Sequence, residues 1–178
     1  MKRMLPAVMA VLLLAGCGNW ARTGGPFEQP GQAVELPDRW HRFRNVDYLL
    51  MTRDGPPLQS ITISRFPVNV PLPHTARELT EGMLPLEAAE TVLDDLAFDG
   101  TAGHLEVLEN VPAVVGGLPA FRVLLSYHNR NGVAYRSIIY GVLQDRWLHL
   151  LRYAAPQRYY FDRDLAAFEA IVGTFTLR

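Results

Sequence analysis

Three runs of sequence decide how this chain folds: AFRVLLSYH (120–128), VAYRSIIYGVL (133–143) and RWLHLLRYA (146–154). Each is rich in β-branched, aliphatic and aromatic residues and free of proline, the composition of a strand. The breaks between them are Asn131-Gly132 and Gln144-Asp145, which read as two-residue hairpin loops. The spacing therefore predicts three consecutive antiparallel strands. With Gln144-Asp145 as the loop, Tyr140 stands opposite His149 and Ile138 opposite Leu151. One face then carries Phe121, Val123, Leu125, Ile138, Tyr140, Trp147 and Tyr153. The other still holds Leu124, Tyr135, Ile139, Leu148 and Leu150. A sheet this apolar on both faces needs cover on both. The expected class is α/β of the α+β kind, a mainly antiparallel sheet flanked by helices on both faces.

The flanking sequence supplies the other elements. Residues 46–52 and 58–66 read as a hairpin around Arg53-Asp54-Gly55-Pro56-Pro57. Thr75 and Glu78 have capping-box spacing for a first helical segment, and Pro85 suits the first turn of a second. There Leu86, Ala89, Val92, Leu93 and Leu96 recur at helical spacing, and Gly100 is the stop. A short strand over 104–109 and a turn at Gly116-Gly117 lead into the meander. A last helix, capped by Asp162 or Asp164, carries Leu165, Phe168, Ile171 and Val172, ends at Gly173 and precedes a strand over 174–177. Trp40, Phe121, Tyr140, Trp147 and Phe168 are the expected core anchors.

Leu36-Pro37-x-x-Trp40, the hairpin, the helical crossover, Val115-Gly116-Gly117-Leu118-Pro119-Ala120-Phe121-Arg122 and the closing Ile171-Val172-Gly173-Thr174-Phe175 together resemble the PsbP-like superfamily. The resemblance covers residues 33–178 and implies a single PsbP-like sandwich domain. Its members include a photosystem subunit, a nuclear-transport factor and bacterial lipoproteins, and they share no active site that carries over.

The N-terminus speaks to location. Lys2 and Arg3 precede an apolar stretch over 4–15 that is too short to span a hydrocarbon core of about 30 Å. It ends in Leu14-Ala15-Gly16-Cys17, which resembles the lipobox of bacterial lipoproteins at every position. The resemblance implies a signal peptide over 1–16, cleavage between Gly16 and Cys17, and acylation of Cys17, palmitate included. Gly18 stands where an aspartate would signal inner-membrane retention, which implies the periplasmic face of the outer membrane in a Gram-negative cell. Residues 17–32, with their glycines and prolines, read as the lipidated cysteine and a flexible tether.

The chain has 178 residues, 49% hydrophobic, with a net charge of −1. Removing residues 1–16 leaves 15 arginines, no lysine and 18 acids, a balance that offers nothing to neutralise nucleic-acid phosphates. The arginines are scattered along the sequence without a cluster. Cys17 is the only cysteine, so no intramolecular disulfide and no thiolate metal site is expected.

Ser126 and His128, with Asp145, are the elements of a hydrolytic triad, but Ser126 sits mid-strand and no Gly-x-Ser-x-Gly elbow exists. His41, His74, His104, His128 and His149 lack paired-ligand spacing. Asp94, Asp95 and Asp99 read as a solvated helix end, Gly116-Gly117 as a turn too short to cradle phosphate, and Tyr153, Tyr159, Tyr160 and Phe161 as helix-docking aromatics. The expected protein is a non-catalytic binding or accessory lipoprotein, attached to the membrane by its lipid and partnered with an envelope protein, with no cofactor or metal. A lipid or small-molecule carrier with an apolar cavity is the first alternative and a serine hydrolase the second.

Overall fold

The computed structural model describes residues 19–44 and 46–178; the motif ending in Gly16 and Cys17 lies outside the described residues. In chain order the elements are β1 (Trp20–Arg22), β2 (Gly25–Gln29), β3 (Gln32–Leu36), β4 (His41–Phe43), β5 (Leu49–Thr52), β6 (Ser60–Pro67), α1 (Pro85–Phe98), β7 (Gly103–Val115), β8 (Leu118–His128), β9 (Ala134–Gln144), β10 (Trp147–Pro156), α2 (Tyr160–Thr174) and β11 (Thr176–Leu177). Eight strands make one antiparallel sheet in the order β1-β4-β5-β6-β10-β9-β8-β7, and β11-β3-β2 make a second.

The meander forms, with both hairpin registers differing from the expected ones. His128 pairs with Ala134, so the first loop holds residues 129–133 rather than Asn131-Gly132 alone. Asn129 sets this longer loop, because its Oδ1 accepts the N–H groups of Asn131 (3.0 Å) and Val133 (2.9 Å). The register sum changes by one residue, which turns β8 over. Phe121, Val123 and Leu125 consequently share a face with Ile139 and Leu148, not with Ile138 and Tyr140. In the second hairpin the loop is Asp145-Arg146, both at positive φ (50° and 65°), as a type I′ turn demands. Tyr140 therefore meets Leu151 rather than His149, a two-residue shift that leaves the faces unchanged.

Two apolar clusters follow from this register. Phe121, Val123, Leu125, Ile139 and Leu148 pack with Ala88, Ala89 and Val92 of α1. Ile138, Tyr140, Leu151 and Tyr153 pack with Phe161, Phe168 and Ile171 of α2 and with Val34 and Leu36 of the small sheet. Gly141 pairs with Phe121 across the strands, and the Phe121 ring occupies the space a Cβ there would need. Of the expected anchors, Trp40, Phe121, Tyr140 and Phe168 are buried. Trp147 is only half-buried, at the end of its strand, with the Arg65 guanidinium 4.3 Å from its ring centre.

The expected segment at Thr75 does not form a helix. His74 and Thr75 instead donate their backbone N–H groups to Asp95 Oδ1 (2.8 and 3.0 Å), which straps an irregular crossover to α1. Pro85 does open α1, and Leu84 N–H donates to Glu87 Oε2 at 2.8 Å. β7 is a thirteen-residue strand where a short one was expected, with two register irregularities against β8. α2 begins before either expected cap: Asp162 lies in its first turn and Asp164 is buried.

The largest departure is at the start of the chain. Residues 20–32 are part of the fold, not a tether. β1 pairs with β4, and the Trp20 and Phe43 rings meet edge-on at 5.0 Å. β2 and β3 form a hairpin that turns at Gly31 (φ 81°), and Phe27 packs on the α2-side cluster. Gln32, the expected last residue of the tether, is buried and accepts a hydrogen bond from His149 Nδ1 at 2.9 Å. Glycine and proline here serve tight turns between short strands.

Candidate functional site

The residues of the alternative hydrolytic triad are not brought together. Ser126 is half-buried on β8 opposite Glu106 and Arg136. His128 is exposed at the end of the same strand, its ring 5.8 Å from that of His104. Asp145 sits at the far end of β9, nine residues beyond the partner of Ser126, about 30 Å along an extended strand. No base–acid pair can form across that length, so the triad is set aside on geometry.

The other sequence candidates have structural work. Gly116 lies at φ 59°, and a Cβ there would come to 3.0 Å from the Phe175 carbonyl oxygen, so this glycine lets the β7–β8 turn approach the end of α2. Tyr153 stacks on Phe161 (5.3 Å) and Phe168 (5.7 Å) and donates its hydroxyl to the Tyr160 carbonyl at 2.7 Å. Burial pushes that phenol's pKa up. Tyr159 is exposed, with the Arg163 guanidinium 5.3 Å from its ring centre. Asp94 pairs with Arg77, Asp95 holds the crossover, and Asp99 faces His74 Nε2 at 3.4 Å. His149 is buried, and desolvation, then the nearby Arg65 charge, lowers its pKa to about 4, so it is neutral near pH 7. Among the described residues no group of three or more His, Cys, Asp or Glu side chains is placed to hold a metal.

What the sequence concealed is a convergence of arginines at one end of the large sheet. Arg53, Arg77, Arg122, Arg146, Arg163 and Arg178 each pair with a carboxylate. Nine arginines have no carboxylate partner among the described residues: Arg22, Arg39, Arg42, Arg44, Arg65, Arg130, Arg136, Arg152 and Arg158. Of these, Arg130, Arg136, Arg152 and Arg158 line clefts around the 129–133 loop and the end of β10. On one side a cleft of about 560 Å³ is bounded by Arg136, Arg158, Gln157, Pro156 and the exposed Asp162. The Nε of Arg136 is buried without a hydrogen-bond partner among the described residues. On the other side a cleft of about 500 Å³ holds Arg130, Arg152, Thr62 and the stacked rings of Tyr127 and Tyr135, 5.5 Å apart.

The orientation of Arg152 is built in. Its Nε donates to Ser137 Oγ at 3.0 Å, and that buried serine donates in turn to the Tyr153 carbonyl at 2.8 Å. A guanidinium fixed through Nε keeps its remaining donors for an oxyanion. Sequence reading missed the cluster because the four arginines come from a loop, two different strands and the turn after β10. The available signal was Arg136 and Arg152, charges at positions within strands that otherwise read as core. A carrier's chamber is not what this end offers, since both clefts are open and mixed in polarity. The narrow space between the two sheets, bordered by Phe27, Val34, Leu49, Ile63 and Phe175, is too small for a water molecule.

No protein-family model matches the sequence, and no curated protein sequence matches it. Solved structures do share the fold. Cyanobacterial PsbP (CyanoP) from Synechocystis sp. PCC 6803 superposes with a TM-score of 0.59 at 9% identity, over 92% of this chain and 95% of that one. The Ran-binding protein Mog1p of Saccharomyces cerevisiae gives 0.59 at 12% identity, over 88% and 96%. LpqN of Mycobacterium tuberculosis, described as involved in cell envelope biogenesis, gives 0.54 at 16% identity, over 89% and 91%. A Bacteroides thetaiotaomicron VPI-5482 protein gives 0.52 at 12% identity, and this chain spans about half of it (49%). The fold is that of the PsbP and Mog1 structures; likeness at these identities speaks to fold alone.

Proposed function

We propose that the chain is a lipid-anchored, non-catalytic accessory protein on the periplasmic face of the outer membrane, and that its arginine end holds an acidic segment of an envelope protein. The observation that carries the binding role is the set of four arginines without carboxylate partners around the two open clefts. Arginine favours carboxylates in bidentate geometry, and the tyrosine pair beside Arg152 offers a flat surface for an extended peptide. The anchor rests on Leu14-Ala15-Gly16-Cys17 and the charged, apolar leader before it. The fold supports the reading in a general way, since Mog1p is a Ran-binding protein and LpqN is involved in cell envelope biogenesis.

Cross-linking from a photoreactive residue at exposed Arg158 in the native envelope identifies the partner, and its affinity is then measured against the charge-reversed double variant Arg136→Glu with Arg152→Glu. A loss of about tenfold or more, with the circular dichroism unchanged, is expected from two lost charge contacts. Unchanged affinity in a folded double variant overturns the assignment of the arginine end. Metabolic labelling with a palmitate analogue, present in the wild type and absent from Cys17→Ser, tests the anchor separately.

A further inference from the structure

The two faces of β6 meet different surroundings. Ile61 and Ile63 are buried in the α2-side cluster. On the opposite face α1 packs on β7, β8 and β9, and Val68, Leu72 and Leu79 of the crossover pack with Phe66, Leu148 and Leu150. Farther along that face the register sets Thr62 between Leu50 and Arg152, with Ser60 and Ser64 on either side of it along the strand. Leu50, Ser60, Thr62, Ser64 and Arg152 are all half-buried. β6 thus lays a hydroxyl at every second residue along the floor of an open surface, the period at which an extended chain presents its own groups.

That floor joins two hollows. Thr62 lines the cleft that holds Arg130 and Arg152, and it also lines an open hollow of about 370 Å³ bordered by Asp47, Tyr48, Ser64 and Phe66. The two are therefore continuous along β6. The Nε bond of Arg152 to Ser137 draws its guanidinium toward the row of Ser137, Ala154 and Ser60. The second hollow lies at Ser64, four residues on, about 13 Å along a strand. The chemistry changes over that length. The first end offers two guanidinium groups beside the Tyr127 and Tyr135 rings. The second offers the rings of Tyr48, 40% exposed, and Phe66, with Asp47 on its rim. An acid suits the first end and is repelled by Asp47 at the second, where an apolar side chain gains from leaving water.

We propose that the acidic segment held at the arginine end lies extended along β6, with its carboxylates on Arg130 and Arg152 and an apolar side chain about four residues away in the hollow between Tyr48 and Phe66. The inference rests on the reading of the arginine end as a site for an acidic segment. It adds a second anchor and a spacing, so that the site selects among acidic segments rather than taking any of them.

The test measures fluorescence anisotropy of short labelled peptides with the full-length protein in detergent micelles. The probe peptide carries two glutamates and, four residues beyond them, a phenylalanine. One control has alanine in place of the phenylalanine, and the other has the phenylalanine directly beside the glutamates. The probe should bind several-fold more tightly than either control. Ser64→Trp, which fills the hollow, and Tyr48→Ala, which removes its wall, should each erase that advantage, while Arg152→Glu weakens all three peptides; circular dichroism checks the fold of each variant. Equal affinity for the probe and its controls, or an advantage that survives a folded variant at the hollow, overturns the extended track and leaves the arginine site standing. Peptides that do not bind, or that bind Arg152→Glu as well as the wild type, remove the arginine site and the track together.

Discussion

The two sides of the large sheet are sealed by different chemistry. Beneath α1 the centre is apolar, with Phe121 laid over Gly141 and closed by Ala88, Ala89 and Val92. On the α2 side, buried polar groups sit among the aromatics. Asp164 accepts hydrogen bonds from Arg53 Nη1 (3.0 Å), Gln59 Nε2 (3.2 Å) and Arg163 Nε (2.9 Å), and His149 donates to Gln32. The difference teaches what each side is sensitive to. The α1 side is vulnerable to changes of volume, and the α2 side to loss of a partner and to acid.

Phe121→Ala should break the α1 side with the largest effect, about 3–5 kcal/mol of unfolding free energy, because it empties a ring-sized space that Gly141 cannot fill. Denaturant titration reads this, and a cost below 1 kcal/mol would show that the strands collapse onto the gap. Asp164→Ala should cost about 2–3 kcal/mol, less than for a fully enclosed ion pair because Arg53 is 40% and Arg163 is 23% exposed at the side chain. Retention of full stability in the same titration would show that the two arginines find other partners.

Acid separates the two sides. His149 has a folded pKa of about 4 against an ordinary value of 6.5, so the unfolded chain binds the proton more readily. Its contribution is whole above pH 6.5 and declines as pH falls toward 4. Between pH 6.5 and 5 the loss should reach about 2 kcal/mol, and His149→Gln should remove that slope while Phe121→Ala leaves it in place. Parallel pH profiles for the wild type and His149→Gln would count against burial as the cause. The smallest effect belongs to the edge of the α1 side. Glu87→Ala, which frees the Leu84 N–H, should cost about 1 kcal/mol by thermal unfolding, whereas Thr75→Ala should be nearly neutral because no helix starts there.

Most of the large sheet was legible because its strands are long and its turns carry Asn, Asp and Gly. The errors arose where one residue decides the outcome. Nothing in the pattern of residues 120–143 distinguishes a two-residue loop from a five-residue loop built on Asn129, yet that choice turns Phe121 from one side of the sheet to the other. Thr75 and Glu78 have the spacing of a capping box, but Asp95, twenty residues away, takes the N–H groups of His74 and Thr75. β1 and β2 are too short to show a period, and their stability comes from strands that follow later in the chain. The site was least legible. Arg130, Arg136, Arg152 and Arg158 become neighbours only once the strands are paired, and whether an arginine finds a carboxylate to pair with is a property of space rather than of sequence.

The pairing of β11 with β3 joins Thr176 to Ala33, about 140 residues apart in the chain, and Arg178 N–H donates to the Gly31 carbonyl at 3.1 Å. During synthesis the β2–β3 hairpin therefore emerges from the ribosome long before the strand that completes its sheet. The β3 edge that Thr176 and Leu177 cover stays open until those residues have been translated, so the small sheet is the late-closing part of the domain and the place where a chain lacking them is most open to proteolysis.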